Sequence, residues 1–228
     1  IAREVKNVQQ NVGLCEVNGF NRIEITGSDR HNFLDRIFCG NVKRQTGKVG
    51  LGYFLNHHGM LKGEATIANL PQSDRGPERV WYGSAAASEY HDMDWLRQHL
   101  NPNDDVQLKS LTNDITILVL AGPNARKVLS ACSRGDWSKD AFPWLSLREC
   151  FIGIAPATVM GVSFSGELAY EIHIPNASLY AAYLAIQKAG LEFNIKEFLD
   201  KGYVVIDRFG DDIEMQLLCR ARTLEHVE

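Results

Sequence analysis

Apolar positions along this chain recur in short blocks, and the spacing inside each block predicts an element. Residues 1–20 carry no clear period, although Val12-Gly13-Leu14-Cys15-Glu16 reads as a short buried strand. Arg22 to Thr26 alternates as a strand. Ser28 is then placed to cap a helix with Asp29 in its first turn, and Phe33, Leu34 and Ile37 mark the apolar face before Gly40. Residues 41–50 are polar and Gly-rich, a loop. Leu51 to Leu55 reads as a strand, Asn56-His57-His58-Gly59 as a tight turn, and the run from Gly63 as a second strand. In that run Ala65, Ile67 and Asn69 alternate with Glu64, Thr66 and Ala68, so Glu64 and Thr66 share a face. On the residues alone this is an edge strand whose polar face meets solvent, because a carboxylate and a hydroxyl are costly to bury without a role.

Pro71 to Glu78 predicts a surface loop and Arg79 to Gly83 a strand. Ser88 starts a helix with Met93, Leu96 and Leu100 at helical spacing, ended by Asn101-Pro102. Within it, His91-Asp92-x-Asp94 has metal-ligating residue types and is read as a solvated helix face. Val106 to Lys109 and Ile115 to Leu120 predict strands, the second apolar enough to be buried on both faces. Ala121-Gly122-Pro123 opens a helix with Pro at its first position and Ala125, Val128 and Leu129 inward. Strands are expected at Cys150 to Ile154, Ala157 to Ser163 and around Tyr170-Glu171-Ile172. Asn176 caps a last helix whose inner face is read as Leu179, Tyr180, Tyr183 and Leu184, closed by Gly190. Further on, Lys201 to Ile206 could form a strand, and Asp207 to Glu214 is expected exposed.

Composition adds exclusions. The 228 residues are 45% hydrophobic and 23% charged, an ordinary globular balance. A net charge of −4 argues against a general nucleic-acid partner. Five dispersed cysteines form no Cys-x-x-Cys pair, so no metal is expected, and free thiols suit a reducing compartment. No signal peptide or membrane-length apolar run is present, so a cytoplasmic protein without a membrane partner is expected. The chain starts at Ile1 rather than Met, so processing or truncation enters the reading.

Three stretches together resemble the tetrahydrofolate-binding family of the glycine cleavage T-protein (aminomethyltransferase), and within it most of all the folate domains of dimethylglycine and sarcosine dehydrogenases. Leu55, Asn56, Gly59, Thr66 and Ile67 fit the family's Leu-Asn-x-x-Gly-Gly-x-x-x-Asp-x-Thr-Val, with Met60 replacing the second Gly and Glu64 the catalytic Asp. Leu120 to Ala125 fits Leu-x-Gly-Pro-x-Ala. Gly166 to Pro175 resembles Gly-Glu-x-Gly-(aromatic)-Glu-Ile-x-x-Pro, with Ala169 for the second Gly. The family's folate-contacting Tyr is Leu51 here, and Tyr53, two residues on, either substitutes for it or belongs to the core. The likeness fails after about Phe193, where the family's folate-contacting Arg and its C-terminal barrel have no counterpart. A divergent end, an incomplete gene and a shifted reading frame each fit residues 194–228, which are expected to be poorly packed or differently folded.

The resemblance implies an α+β, mixed-sheet folate-binding domain over 1–193, with an inserted lobe at about 50–150 and tetrahydrofolate held between the lobes. It implies Glu64 as the catalytic carboxylate, and Glu171, Thr66, Tyr53, Asn56 and Tyr170 as folate-binding residues. Glu171 would accept the pterin's 2-amino and N3 protons. The implied reaction is one-carbon transfer from a small N-methylated amino acid. FAD would belong only to a missing fused or partner flavin oxidoreductase domain. A folate-binding domain without transfer chemistry and a folate-dependent RNA-modification accessory protein are the alternatives.

Overall fold

The computed structural model describes residues 2–17, 19–40, 42–163 and 166–198, and the backbone alone of residues 204–207 and 216–219. Its first helix, α1 (Ala2–Gln10), buries only Asn7 and Val8, too few positions to show as a period in the sequence. β1 (Val12–Glu16), β2 (Ile23–Thr26) and α2 (Arg30–Ile37) follow. β3 (Val49–Leu55) and β4 (Leu61–Leu70) form a hairpin, succeeded by β5 (Arg79–Gly83), α3 (Glu89–Gln98) and β6 (Gln107–Ser110). β7 (Ile115–Ala121), α4 (Ala125–Cys132), β8 (Leu147–Ile152), β9 (Ala155–Met160) and β10 (Ala169–Pro175) lead to α5 (Leu179–Gly190) and β11 (Ile195–Glu197). β12 (Val204–Asp207) and β13 (Gln216–Cys219) pair antiparallel. The class is α+β, and no barrel occurs among the described residues.

The chain divides into two units. The first comprises Ile1–Val17, Thr116–Trp144 and Glu149–Glu228. Its six-stranded mixed sheet has the order β11-β1-β7-β10-β9-β8, with β1 antiparallel to β7 and parallel to β11. Val128 and Leu129 of α4 and Ala182 and Ile186 of α5 join Leu14, Leu118, Leu120, Tyr170 and Ile172 in one core. Val8, Cys15, Ala121, Ala169 and Phe198 form a second cluster. Successive strand residues point to opposite faces, so β7 and β10 are covered on both, as their apolar runs require.

Three local expectations are corrected in this unit. Pro123 is not the first helical residue: Asn124 is the cap residue and α4 begins at Ala125. Gly122 holds φ at +122°, and a Cβ there would lie 2.5 Å from the Val8 carbonyl oxygen and 2.7 Å from that of Asn11. Only glycine fits that approach. In α5 the inner face is Ala182, Ile186 and Gly190, while Tyr180 and Leu184 are exposed. Leu179 and Tyr183 of the expected face do pack against the core, partly buried, so the expectation is corrected at Tyr180 and Leu184 alone. At the far end, β11 pairs with β1, and Phe198 is buried with its N–H on the Leu14 carbonyl at 3.0 Å. Residues 195–198 are therefore packed, against expectation. For 199–203, 208–215 and 220–228, including most of the acidic stretch from Asp207 to Glu214, the expectation lies outside the described residues.

The second unit, Asn18–Ile115 with Leu145–Arg148, starts ahead of the position 50 expected from sequence, and its main segment ends before 150. Its five-stranded antiparallel sheet has the order β3-β4-β5-β2-β6. Ile23, Ile25, Phe54, Ile67, Val80 and Tyr82 pack against Phe33 and Leu34 of α2 and Met93 and Leu96 of α3. Ser28 does not cap α2. Its N–H and hydroxyl both donate to Asp105 Oδ2, each at 2.8 Å, and these bonds lower the Asp105 carboxyl below its ordinary pKa. Nor is His91-Asp92-x-Asp94 a wholly solvated face, because Asp92 is buried. Asp92 Oδ2 accepts from the Ser84 hydroxyl and, at 3.3 Å, from Asn21 Nδ2, and its Oδ1 lies 3.1 Å from His91 Nδ1. The Ser84 N–H donates to Asn21 Oδ1 at 2.9 Å. Burial, with the Asp92 charge next in importance, pushes the Tyr82 hydroxyl far above the usual phenol range.

Candidate functional site

The β3–β4 hairpin aligns Tyr53 with Glu64 and Leu51 with Thr66. Opposed residues share a face, so these four side chains stand together, while Phe54, Ala65 and Ile67 point into the core. That face is open: Leu51 is 58% and Tyr53 38% exposed, Glu64 is exposed and Thr66 half-buried. Tyr53 is thus not a core residue. The sheet's outer strand is β3, so Glu64 lies one strand in from the edge. No hydrogen bond or ion pair among the described residues fixes the Glu64 carboxylate. Asn56 organises the turn. Its Oδ1 accepts the backbone N–H of His58 at 2.9 Å and of Met60 at 3.0 Å, and Gly59 supplies the left-handed φ of +74°.

In the first unit, β10 turns Tyr170, Ile172 and Ile174 to one face and Glu171 and His173 to the other. Glu171 lies opposite Met160 of β9, and His173 opposite Thr158. The Glu171 side chain is 12% exposed, and its Oε2 lies 3.0 Å from His173 Nε2, whose side chain has no exposed surface. An amphipathic strand would have put Glu171 in water; here it is a largely enclosed carboxylate with a fixed partner. Tyr170 packs 6.0 Å from the Phe142 ring centroid, with the Arg126 guanidinium 5.7 Å from its own. Burial raises the Tyr170 hydroxyl above its ordinary pKa, against an opposing pull from Arg126. The structure therefore groups Leu51, Tyr53, Glu64 and Thr66 on one open face, and sends Tyr170 into a core away from Glu171.

His173 escaped the reading of the sequence. The signal was there: it stands two residues beyond Glu171 on an alternating strand, and such residues are neighbours on one face. Among the described residues no three His, Cys, Asp or Glu side chains cluster as metal ligands, and no helix is long and apolar enough to cross a membrane.

The GCVT N-terminal domain model matches residues 1–200. The chain belongs to that family. Sarcosine oxidase subunit alpha of Rhizobium meliloti (strain 1021) is 33% identical over 219 residues, covering 90% of this chain and 22% of that protein. Human mitochondrial dimethylglycine dehydrogenase is 30% identical over 199 residues, covering 87% and 22%. The GCVT domain thus spans 22% of the length of these relatives. Among solved structures, the glycine cleavage system aminomethyltransferase T from Bartonella henselae aligns with a TM-score of 0.70 at 18% identity, covering 86% of this chain and 50% of that one. Heterotetrameric sarcosine oxidase from Corynebacterium sp. U-96 aligns at 0.62 with 19% identity, covering 83% and 88%. At these identities the two structures establish a shared fold.

The two carboxylates of this GCVT domain sit in different settings. Glu171 is enclosed and hydrogen-bonded, and an ionised carboxylate so held is a directional acceptor for a ligand's N–H groups. Glu64, on the open hairpin face, can take and give protons through water.

Proposed function

We propose that this GCVT domain binds tetrahydrofolate and serves one-carbon transfer from a small N-methylated amino acid, beside a fused or partner flavin oxidoreductase portion that carries FAD. The observation that carries the reading is Glu171, a carboxylate on a central strand whose side chain is 12% exposed and whose Oε2 is held 3.0 Å from His173 Nε2. Such a group fits the paired N–H donors of a pterin ring. Tetrahydrofolate, when bound, supplies the nitrogen that accepts the carbon. Within the first unit Glu171 is the residue assigned to the pterin; within the second, Glu64 is the residue assigned to proton exchange, with Tyr53 and Thr66 flanking it on its sheet face. Asn56 contributes by holding the hairpin turn, and Tyr170 by anchoring β10 from the core side.

The test is calorimetric titration of tetrahydrofolate into wild type and Glu171→Gln. Replacing one acceptor by a donor facing the pterin N–H groups is expected to cost about 2–4 kcal/mol of binding. Unchanged affinity would overturn the assignment.

A second reading, folate binding without transfer, draws on the solvent-exposed Glu64, whose carboxylate no described neighbour holds. Wild type, Glu64→Gln and Glu64→Asp joined to a flavin amine oxidase domain separate the two. A catalytic Glu64 predicts that methylenetetrahydrofolate formation falls by about a hundredfold or more in Glu64→Gln. Equal rates would favour binding alone.

A further inference from the structure

Away from the hairpin and from Glu171, the first unit holds a cavity of about 580 Å³ between α4 and the loop that follows it, lined by Arg126, Lys127, Ser130 and Ala131 of the helix and by the loop from Gly135 to Ser138. We propose that this cavity is a binding site for a small phosphomonoester, with the Arg126 guanidinium and the Lys127 ammonium as the groups that hold the anion. The helix side that lines it follows from the helical period. Ala125, Val128 and Leu129 face the core, and residues 126, 127, 130 and 131 occupy the other side. The loop wall is anchored at Trp137, which is buried against Phe142 with ring centroids 4.9 Å apart. Arg126 Nη1 donates to the Trp137 carbonyl, so the two walls are joined without a ligand.

The protein does not neutralise the two cations. Among the described residues no carboxylate is ion-paired with Arg126 or Lys127. Nor does either have an acidic residue three or four positions along α4. Besides the Trp137 carbonyl, their side chains meet rings: the Arg126 guanidinium lies 5.7 Å from the Tyr170 ring centroid, and Lys127 Nζ lies 5.9 Å from that of Phe193. A single Nη1 bond leaves the remaining N–H groups of the guanidinium for a ligand. Asp136 also lines the cavity, and its Oδ1 accepts the Ser138 N–H at 2.8 Å, so the lining carries two positive charges against one negative. Ser138 Oγ accepts the Ala141 N–H at 3.3 Å and keeps its own hydroxyl hydrogen to donate. The Ser130 hydroxyl is already committed to the Arg126 carbonyl at 2.9 Å and adds no donor. A planar carboxylate would fill the arginine fork and leave Lys127 and Ser138 without an acceptor. A phosphoryl group presents three terminal oxygens and about two negative charges, and so serves all three donors. The volume lies in the ordinary range of ligand pockets and far exceeds a phosphate ion, so the phosphoryl group brings a small organic body with it. Arg126 lies beside Tyr170, which points to the opposite face of β10 from Glu171, so the site is separate from Glu171 and does not depend on the folate reading.

The test is calorimetric titration of glycerol 3-phosphate, inorganic phosphate and succinate into the 228-residue chain at constant ionic strength. The variants are Lys127→Gln, which removes one cation, and Arg126→Lys, which keeps the charge and removes the fork. Lys188→Gln, at an exposed position on α5, makes the same charge change elsewhere, and Glu171→Gln reports on the other face of β10. Expected are saturation of wild type by glycerol 3-phosphate at about 1 mM or below, and binding of inorganic phosphate and succinate weaker by about fivefold or more. Lys127→Gln and Arg126→Lys should each lose about fivefold or more, against less than about twofold in Lys188→Gln and Glu171→Gln. Backbone ¹H–¹⁵N spectra should place the largest ligand shifts at residues 126–138. No saturation by glycerol 3-phosphate at about 10 mM would overturn the site. Inorganic phosphate or succinate binding as tightly as glycerol 3-phosphate would overturn the phosphomonoester assignment. An equal loss in Lys188→Gln would reduce the effect to general charge attraction, and an equal loss in Glu171→Gln would move the ligand to the other face of β10; each overturns the proposal. Should Arg126→Lys fail to fold, Lys127→Gln decides, because Lys127 is exposed and bonds no backbone group through its side chain.

Discussion

Asp92→Ala in the second unit should be among the most damaging single changes in the chain. The carboxylate is buried on α3 and accepts from the Ser84 hydroxyl and from Asn21 Nδ2. After truncation Asn21 keeps other acceptors, the Ser84 Oγ at 2.8 Å and the Ala85 carbonyl at 3.3 Å. Ser84 loses the acceptor of its hydroxyl in a buried place. A lost hydrogen bond to a charged group costs about 1.5–3 kcal/mol, and a stranded buried donor about 1–3 kcal/mol, terms that overlap to a total of about 3 kcal/mol. Asp92→Asn keeps an oxygen acceptor and should cost about 1–2 kcal/mol. Urea unfolding followed through tryptophan fluorescence reads the difference, since Trp81 and Trp95 both lie in this unit. With a slope of about 2 kcal/mol per molar urea, Asp92→Ala should lower the midpoint by about 1.5 M and Asp92→Asn by about 0.5–1 M. A midpoint within about 0.2 M of wild type in Asp92→Ala would refute the argument that this network holds the unit together.

Further outcomes follow from Gly122 and from the buried hydroxyls and thiol of the two units. Gly122→Ala should destabilise by about 3 kcal/mol, because it combines a left-handed φ with backbone oxygens inside contact distance, and an unchanged thermal midpoint would refute this. Alkaline pH should weaken the fold. Burial, with Cys150 beside it, pushes the Cys132 thiol from 9.0 up to about 12, and Tyr82 and Tyr170 are raised from 10.0. The folded chain then holds protons that the unfolded chain releases, so stability present below pH 9 is lost as pH climbs toward 12. Urea midpoints should fall from pH 8.5 to 10.5, and at pH 8 a thiol reagent should label exposed Cys39 well before Cys132; a flat profile or equal labelling would contradict the assignments.

The sequence was most legible where one period ran unbroken. Alternation marked the β3–β4 hairpin and put Glu64 and Thr66 on one face, and the apolar run from Ile115 marked a strand covered on both sides. It was least legible where partners come from far along the chain. Ser28 looked like a cap because Asp105, which takes its hydrogen bonds, is 77 positions away. Asp92 looked solvated because Asn21 lies 71 positions off. Helix α5 was half legible: Leu179 and Tyr183 of the expected face do pack against the core, while Ala182, Ile186 and Gly190 form its fully buried line and Tyr180 and Leu184 stay outside. His173 was local and still passed over, since a lone histidine between two isoleucines reads as core until its neighbour across the pleat is counted.

The interruption of the first unit by the second makes the closure of its sheet depend on a long intervening segment. Its sheet needs β1 beside β7, with Gly13 opposite Ala121 and Glu16 opposite Leu118, and the whole main segment of the second unit is threaded between them. Closing a gap of about a hundred disordered residues carries a length-dependent entropy near 4 kcal/mol. A folded second unit removes most of that cost. Pairing of β2 with β6 joins Ile23 to Ser110, and the Leu111 N–H reaches the Arg22 carbonyl at 2.7 Å, so the two ends of the long segment are already neighbours. Emerging from the ribosome, residues 18–115 can fold before β7 exists to recruit β1, and doing so turns a distant pairing into a nearly local one. Damage to the second unit, as in Asp92→Ala, would then slow the pairing of β1 with β7.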